Sequence, residues 1–346
     1  MSGATARRAA RLAHTTPAQG SETMLCTRFT ELLGLRVPIV NAPMTPAAGG
    51  MLARAVSEAG GLGFIGVDRN ADDQTLRREV ALARQDDERR RFGIGLMTWV
   101  VDTRPDVLTM VIAQRPALVA LSFGDPTPHV PALHDAGILV ASQVQDRESA
   151  LRAADAGVDV IVAQGTEAGG HTGTVGTLPL LQIVLELVDR PVLAAGGIAS
   201  ARGLAAVIAA GADGAWIGTP FLLAHESLTE EWVKQRVEAS REGDTILTSL
   251  FDRAQGIPWP RQFPGRALRN AFTDRWEGHE DELPAEAIAE YDTARANRDP
   301  RLAHVYAGQS VGLAERRLPA AGLVRMIANG AEALLRDRLA LVVQKG

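Results

Sequence analysis

Short runs of consecutive apolar residues recur along the chain, and most are followed by glycine or by a polar residue. Apolar runs of this length, without polar alternation, are typical of strands that are buried on both faces. Eight such runs predict strands at residues 38–41, 63–66, 92–96, 118–122, 138–142, 158–163, 192–195 and 215–217.

The segments between these runs have apolar residues three or four positions apart, which indicates amphipathic helices. The clearest examples are residues 51–59, 74–84, 149–156 and 201–210. Strands that alternate with helices form parallel sheets, and eight strand–helix units are the number found in a (β/α)8 barrel. We therefore expect an α/β fold of the TIM-barrel type, with an open doubly wound sheet as the alternative.

The pattern changes beyond residue 222. Longer helical segments at residues 229–242 and 320–337 lie on either side of a stretch rich in Pro, Arg and Trp at residues 256–269. We expect the barrel at residues 24–222, and a mainly helical extension at 223–346 that packs on the barrel and partly covers its mouth. Residues 1–23 are rich in Ala, Arg and Thr without an apolar period. We interpret them as a disordered leader rather than a transit peptide.

Composition excludes several classes of function. The net charge is −5 and no dense Lys/Arg patch is present, so nucleic-acid binding is not indicated. No apolar stretch reaches the ~20 residues of a membrane span. The single cysteine, Cys26, excludes an internal disulfide and a cysteine-based metal site. We expect a cytoplasmic protein without a membrane partner.

The ends of the predicted strands carry the unusual residues. In a parallel barrel all carboxyl ends of the strands meet at one mouth, so residues far apart in sequence form one site. Gly196 and Gly197 follow the seventh predicted strand, and Gly218 and Thr219 follow the eighth. Barrels commonly bind phosphate at these two loops through backbone N–H groups. The sequence thus predicts a phosphate site here, and tight turns are the alternative.

The sixth predicted strand leads into a glycine-rich loop that ends at His171. Glycine permits positive φ and close approach of backbone to a ligand. His171 is the side chain of this loop that titrates near neutral pH, and it stands at a strand's carboxyl end. We therefore predict a catalytic base or a substrate hydrogen-bond donor, although a structural histidine is the alternative. No second His or carboxylate lies at metal-ligand spacing from it, so no metal is expected.

Taken together, these motifs resemble the nitronate monooxygenase family, formerly called 2-nitropropane dioxygenases. The resemblance rests on residues 38–44, 163–171, 191–197, 211–219 and 307–309, and it covers roughly residues 27 to 330. It implies a TIM barrel that binds flavin mononucleotide (FMN) and oxidises alkyl nitronates with O2 to a carbonyl compound and nitrite. Where many relatives have Asn after the third strand, this chain has Gly95.

The resemblance also implies roles for individual residues. His171 matches the active-site histidine of the family. The implied cofactor-binding residues are Ala42, Pro43 and Met44 beside the flavin ring, Gln143 and Gln164 near its polar edge, Gly169 and Gly170 through their backbone, and Gly196, Gly197, Gly218 and Thr219 at the phosphate.

The implied partners are a small-molecule nitronate and O2, with a homodimer as a candidate assembly. Two other functions fit the same motifs. A flavin-dependent enoyl-acyl carrier protein reductase has a barrel and a glycine-rich loop with a histidine, and would consume NAD(P)H. A flavin-binding protein without turnover would not depend on His171 at all.

Overall fold

All eight predicted strands form, each within two residues of its expected ends. The structure is a computed structural model and describes residues 25–85 and 87–342. The expected leader lies outside these residues. The barrel strands are Ile39–Asn41 (β1), Phe64–Gly66 (β2), Gly93–Met97 (β3), Leu118–Ser122 (β4), Leu139–Val144 (β5), Val160–Gln164 (β6), Val192–Ala195 (β8) and Gly214–Ile217 (β9), while Gly170–His171 (β7) belongs to a second sheet.

Helices follow the strands in the order that the apolar spacing predicts. Through the barrel they are Arg28–Leu33 (α1), Gly50–Glu58 (α2), Asp73–Arg84 (α3), Thr98–Thr103 (α4), Pro105–Ala113 (α5), Val130–Asp135 (α6), Arg147–Asp155 (α7), Thr177–Leu187 (α8), Ala201–Ala209 (α9) and Thr219–Leu222 (α10). Several begin at a side chain that accepts a hydrogen bond from the first turn, as Asp72, Asp146 and Ser200 do. Such caps satisfy backbone N–H groups that have no partner inside the helix.

The parallel strands close into a ring. Their order is β1-β9-β8-β6-β5-β4-β3-β2, which leaves one seam between β1 and β2. A parallel bridge between Val40 and Leu62 closes this seam. The buried Asn41 side chain strengthens it, because its amide nitrogen donates to the carbonyl of Phe64 at 3.0 Å and its oxygen accepts from the N–H of Phe64 at 2.9 Å. The fold is therefore a TIM barrel, and the open doubly wound alternative is wrong.

Side chains from alternate strand positions fill two separate layers of core. Leu118 and Ala120 of β4 pack inside the barrel, where the Phe64 and Trp216 rings lie 4.6 Å apart. Val119, from the same strand, packs between the sheet and the surrounding helices. This alternation is the one expected for a barrel whose interior is a packed core rather than a channel.

The extension beyond residue 222 is helical but also contains two strands that the apolar pattern did not predict. Its elements are Glu231–Glu238 (α11), Thr245–Thr248 (β10), Leu250–Gln255 (α12), Gly265–Leu268 (β11), Ala271–Trp276 (α13), Ala285–Ala296 (α14) and Ala320–Val342 (α15), with 3₁₀ turns at Glu242–Asp244, Glu280–Glu282 and Val311–Leu313. Strand β11 pairs antiparallel with both β10 and β7. The glycine-rich loop of the barrel is thereby fastened to the extension.

The last helix joins the barrel itself. Val324, Ile327 and Ala328 of α15 are fully buried in the core that lies between the sheet and the helices. This helix packs against α9 and α2 on the outside of the barrel. None of the helices in the described part of the chain combines the length and apolarity that crossing a membrane requires.

Candidate active site

The carboxyl ends of the barrel strands bring most of the predicted cofactor residues to one mouth. A Cβ atom added to Gly218 would lie 3.5 Å from the Met44 sulfur and 3.7 Å from the Ala42 Cβ. The loops after the first and the last barrel strand therefore face one another at this point. The predicted ring-contacting residues and the predicted phosphate residues are neighbours, although more than 170 positions separate Met44 from Gly218.

The backbone around the predicted phosphate loops takes conformations that glycine favours. Gly196 and Gly197 have φ of +102° and +71°. A Cβ on Gly196 would lie 2.8 Å from the Thr177 hydroxyl oxygen and 2.9 Å from the Gly165 carbonyl oxygen, so packing also requires glycine there. Gly197 is exposed at the mouth, and a Cβ added there would meet only the Glu167 side chain, at 3.4 Å, among the described residues. Of this pair, Gly197 is thus the one with free space beside it.

Thr219 is buried, and its hydroxyl has one hydrogen-bond partner among the residues that the structure describes. Its hydroxyl oxygen accepts from the backbone N–H of Gly308 at 3.0 Å. Because a hydroxyl group both donates and accepts, its hydrogen remains available to an anion at the mouth. Gly308 also lies against the glycine-rich loop, where a Cβ on Gly169 would come within 2.5 Å of the Gly308 nitrogen. Packing therefore accounts for glycine at 169, whereas Gly170, with φ +72°, faces open space.

The Pro43 ring fills the space beside Gly95. A Cβ on Gly95 would lie 2.3 Å from both Cβ and Cγ of Pro43. No side chain fits at 95 while Pro43 keeps this position. Close packing against Pro43 therefore accounts for glycine at position 95.

The two predicted glutamines lie at the ends of neighbouring strands. The Gln164 amide donates to the backbone carbonyl of His171 at 3.1 Å and accepts from the Gln145 amide at 2.8 Å. Gln143 lines a cavity of about 200 Å³ between the ends of β4 and β5, together with Gln145 and Arg152. Gln164 therefore holds the histidine loop, and Gln143 faces a polar recess beside it.

His171 is buried beneath the extension. Its backbone pairs with Gly265 in the three-stranded sheet. The Nε2 atom lies 3.0 Å from each carboxylate oxygen of Asp252, and the two side chains are only 8% and 6% exposed. The Trp259 ring stacks on the imidazole, with the ring centroids 3.4 Å apart and the planes at 10°.

Further aromatic rings surround this stack. Trp259 makes edge contacts with Trp99 at 5.3 Å and with Phe123 at 5.1 Å, and Phe263 lies 5.4 Å from Phe123. Phe123 has φ +65°, a left-handed conformation that costs a non-glycine residue about 1–2 kcal/mol. Such strain concentrates at functional sites. We call Trp99, Phe123, Trp259 and Phe263 the aromatic wall.

Asp252 was not predicted from the sequence, and neither was its other neighbour, Tyr306. The Tyr306 hydroxyl lies 3.4 Å from Asp252 Oδ1. Burial and the Asp252 charge raise the pKa of Tyr306 well above its ordinary value, so the phenol stays protonated and can donate. The sequence does offer one signal for Asp252, which is a carboxylate placed among the apolar residues of a short helix.

A buried cation lies behind the glycine-rich loop. Arg266 Nε donates to the Thr166 carbonyl at 2.7 Å, and its Nη atoms donate to the hydroxyls of Thr166 and Thr245 at 3.2 Å each. Burial lowers the pKa of this guanidinium and Glu167 opposes that shift, but an arginine remains charged. No carboxylate of the described residues forms an ion pair with it. Its positive charge therefore favours an anion near the loop.

Metal ligands do not cluster at the mouth. Within residues 25–85 and 87–342, no three His, Cys, Asp or Glu side chains are arranged so that they could hold a metal ion.

Comparison with known proteins gives a consistent result. Residues 90–330 match the family model described as nitronate monooxygenase. The chain is 32% identical to a nitronate monooxygenase of Pseudomonas aeruginosa, an alignment that covers 87% of this chain and 97% of that protein. Among solved structures, FabK from Thermotoga maritima is 30% identical with a TM-score of 0.81, and the match covers 92% of this chain and 100% of the FabK chain. Nitroalkane oxidase from Streptomyces ansochromogenes is 30% identical with a TM-score of 0.78, and the match covers 90% of this chain and 100% of the oxidase chain.

Proposed function

Since the chain belongs to the nitronate monooxygenase family of oxidoreductases, we propose that it binds FMN and oxidises alkyl nitronates with O2 to a carbonyl compound and nitrite. The observation that carries the proposal is a buried histidine held at the same barrel mouth as Gly197, Gly218 and the Thr219 hydroxyl, which we call the proposed phosphate corner. A histidine in that position can bind a nitro group or move a proton, whereas glycine-lined backbone with a free hydroxyl hydrogen can hold a cofactor's phosphate.

The residues at the mouth fit FMN. Gly197 and Gly218 leave room for a phosphate, the Thr219 hydroxyl has a hydrogen to donate, and the Arg266 charge lies behind the loop. Ala42 and Met44 offer an apolar surface next to this corner, as a flat and mostly apolar ring requires. When bound, FMN supplies the redox chemistry, by accepting electrons from the nitronate and passing them to O2.

The protein's own contribution is to hold and orient the substrate. His171 lies under the aromatic wall, so a substrate that reaches it leaves bulk water behind. In this setting the imidazole binds the nitro group of a nitronate or removes the α-proton of a neutral nitroalkane. Proton removal requires the neutral imidazole.

Absorbance of the purified protein is the first test. Bound flavin gives peaks near roughly 370 and 450 nm, as expected of that chromophore. Anaerobic mixing with an alkyl nitronate should then bleach the longer-wavelength peak, and admission of O2 should restore it with release of nitrite. A flavin spectrum that stays unchanged for minutes in the presence of nitronate would contradict the proposal.

The same preparation distinguishes the alternatives. An enoyl-acyl carrier protein reductase would consume NAD(P)H with an enoyl thioester and would leave nitronates untouched. A flavin-binding protein without turnover would react with neither. We expect nitronate to reduce the flavin faster than NAD(P)H does, and the reverse order would favour the reductase.

A further inference from the structure

The carboxylate of Asp252 has an unusual environment. It lies inside the protein, and His171 Nε2 is its nearest polar neighbour, at 3.0 Å from both oxygens. The Tyr306 hydroxyl is a second and longer contact, at 3.4 Å. No Arg or Lys of the described residues forms an ion pair with Asp252. A buried carboxylate needs hydrogen-bond donors or a cation, and here the histidine is the main donor.

We propose that Asp252 is a positioning residue that fixes His171 as the Nε2–H tautomer and leaves Nδ1 as the atom that acts on the substrate. This inference rests on the proposed function for the identity of the substrate. It does not depend on that function for the tautomer, which follows from the contact itself. The carboxylate can only accept, so Nε2 carries the hydrogen, and a neutral imidazole then has its lone pair on Nδ1.

Two further observations support Nδ1 as the working atom. No hydrogen-bond partner contacts Nδ1 within the described parts of the chain, so its lone pair is not engaged by the protein. The Trp259 ring lies flat against the imidazole at 3.4 Å. A ring that is held by Asp252 at one nitrogen and by Trp259 on one face keeps a single orientation, and Nδ1 keeps a fixed direction.

The proton transfer can be written for a neutral nitroalkane. Nδ1 takes the proton from the α-carbon, and the electron pair of that C–H bond becomes the C=N double bond of the nitronate. The negative charge passes to the nitro oxygens, and His171 becomes an imidazolium. The Asp252 carboxylate stabilises this cation, because the hydrogen bond from Nε2 becomes charge-assisted at both ends.

The tautomer can be tested without any turnover. We would record the ring ¹⁵N spectrum of histidine-labelled holoprotein near pH 8, and assign the His171 signals by their loss in His171→Gln. Nε2 should be protonated and Nδ1 unprotonated.

Asp252→Asn should change both signals, because an amide can donate to Nε2 as well as accept from it. Protonated Nδ1 in the wild type, or unchanged signals in a folded Asp252→Asn protein, would overturn the inference. The wild-type spectrum decides even if the variant does not fold.

Kinetics test the role of the pair. With a neutral nitroalkane, Asp252→Asn should lose about 10²–10⁴-fold in kcat, the range typical of a lost proton transfer. With a pre-formed nitronate, which has already lost its α-proton, the loss should be at least tenfold smaller, and flavin content should not change. The loss in His171→Ala sets the upper limit for the loss in Asp252→Asn. The matched control is Asp274→Asn, which changes an exposed aspartate on α13 in the same way. Equal losses on both substrates would show that the pair does not act in proton transfer and would refute the inference. Failure of nitronate to reduce the flavin would refute the proposed function and leave the tautomer result standing.

Discussion

At the scale of single residues, the chemistry of His171 is set by side chains that its own loop does not contain. Asp252, Trp259 and Tyr306 lie 81, 88 and 135 positions further along the chain. They hold one nitrogen of the imidazole, cover one face and hydrogen-bond the carboxylate behind it. The loop glycines therefore provide the path of the backbone, and the extension determines what the ring can do.

Two glycines of the proposed phosphate corner, Gly197 and Gly218, make different experimental targets. Gly197 has φ +71°, so any other residue there strains the backbone whether or not cofactor is bound. Gly218 has φ −107°, and an added Cβ would make only ordinary contacts, with Met44 and Ala42. Gly218 is thus the position at which loss of cofactor can be separated from loss of fold.

We predict that Gly218→Val purifies as a folded protein with little flavin, because its side chain fills the space proposed for the phosphate. The flavin-to-protein absorbance ratio should fall at least tenfold, whereas the circular dichroism spectrum should match that of the wild type. Gly243→Val is the control, because a Cβ there meets nothing within 4 Å. Stoichiometric FMN in Gly218→Val would mean that the phosphate lies elsewhere.

At the scale of elements, the stretch between α12 and β11 lies over His171. It carries two rings of the aromatic wall, and strand β11 continues directly from it. Apolar substrates that reach His171 must pass or contact this wall. The segment is therefore expected to influence which nitronates bind, in addition to covering the imidazole.

Trp259→Ala should raise KM for a long-chain nitronate about tenfold, since removal of apolar contact of this size costs on the order of 1.5 kcal/mol. KM for a one- or two-carbon nitronate should change much less, because a short chain has little surface to lose. Trp259→Phe should restore most of the difference by returning an aromatic ring. Equal KM changes for short and long substrates would show that the wall does not select for chain length.

The sequence predicted the elements whose stability comes from local pattern. A run such as residues 118–122 is apolar up to its last residue, Ser122, and its position as β4 follows from that run. The strands β10 and β11 were missed because they are short and contain Thr and Arg, and because the pairing of β11 with both β10 and β7 is a long-range contact. The predicted helix at residues 229–242 ends earlier, as α11 at Glu238.

The same distinction holds for the candidate site, where some residues could be predicted from local pattern and others could not. His171, Gly197 and Gly218 stand next to recognisable strand ends, so their meeting at one mouth follows from the barrel rule. Asp252 and Tyr306 contact His171 only because the extension folds back over the mouth. No local sequence pattern predicts that the extension folds back in this way, since this depends on the long-range pairing of β11 with β7.

At the scale of the whole molecule, a second histidine, in the extension, should make the stability of the fold depend on pH. His304 accepts a hydrogen bond from the Tyr291 hydroxyl at 2.6 Å, if Nδ1 carries the lone pair, and lies among the rings of Phe251 and Tyr306. Burial, together with the charges of Arg295 and His171, lowers the pKa of His304 to about 4. In the unfolded chain its pKa returns to about 6.5.

The folded protein should therefore lose stability as the pH falls from about 6.5 to about 4, because in this window the unfolded state binds a proton that the folded state does not. The contribution of this group should be on the order of 2–3 kcal/mol. Urea unfolding at pH 7.5 and pH 4.5 measures it. His304→Gln should show a smaller acid loss than the wild type, whatever its stability at neutral pH. Identical losses in both proteins would mean that His304 does not titrate differently on folding.

The pairing of β7 with β11 also has a consequence for the order of events during protein synthesis. The ribosome completes the eighth barrel strand at Ile217, when the codons for Asp252 and Tyr306 have not yet been read. Domains tend to fold as the amino-terminal part emerges. A nascent chain with every barrel strand in place thus has its histidine but neither the acceptor nor the covering ring. The surroundings of His171 are therefore complete only after Tyr306 has been synthesised, near the end of translation.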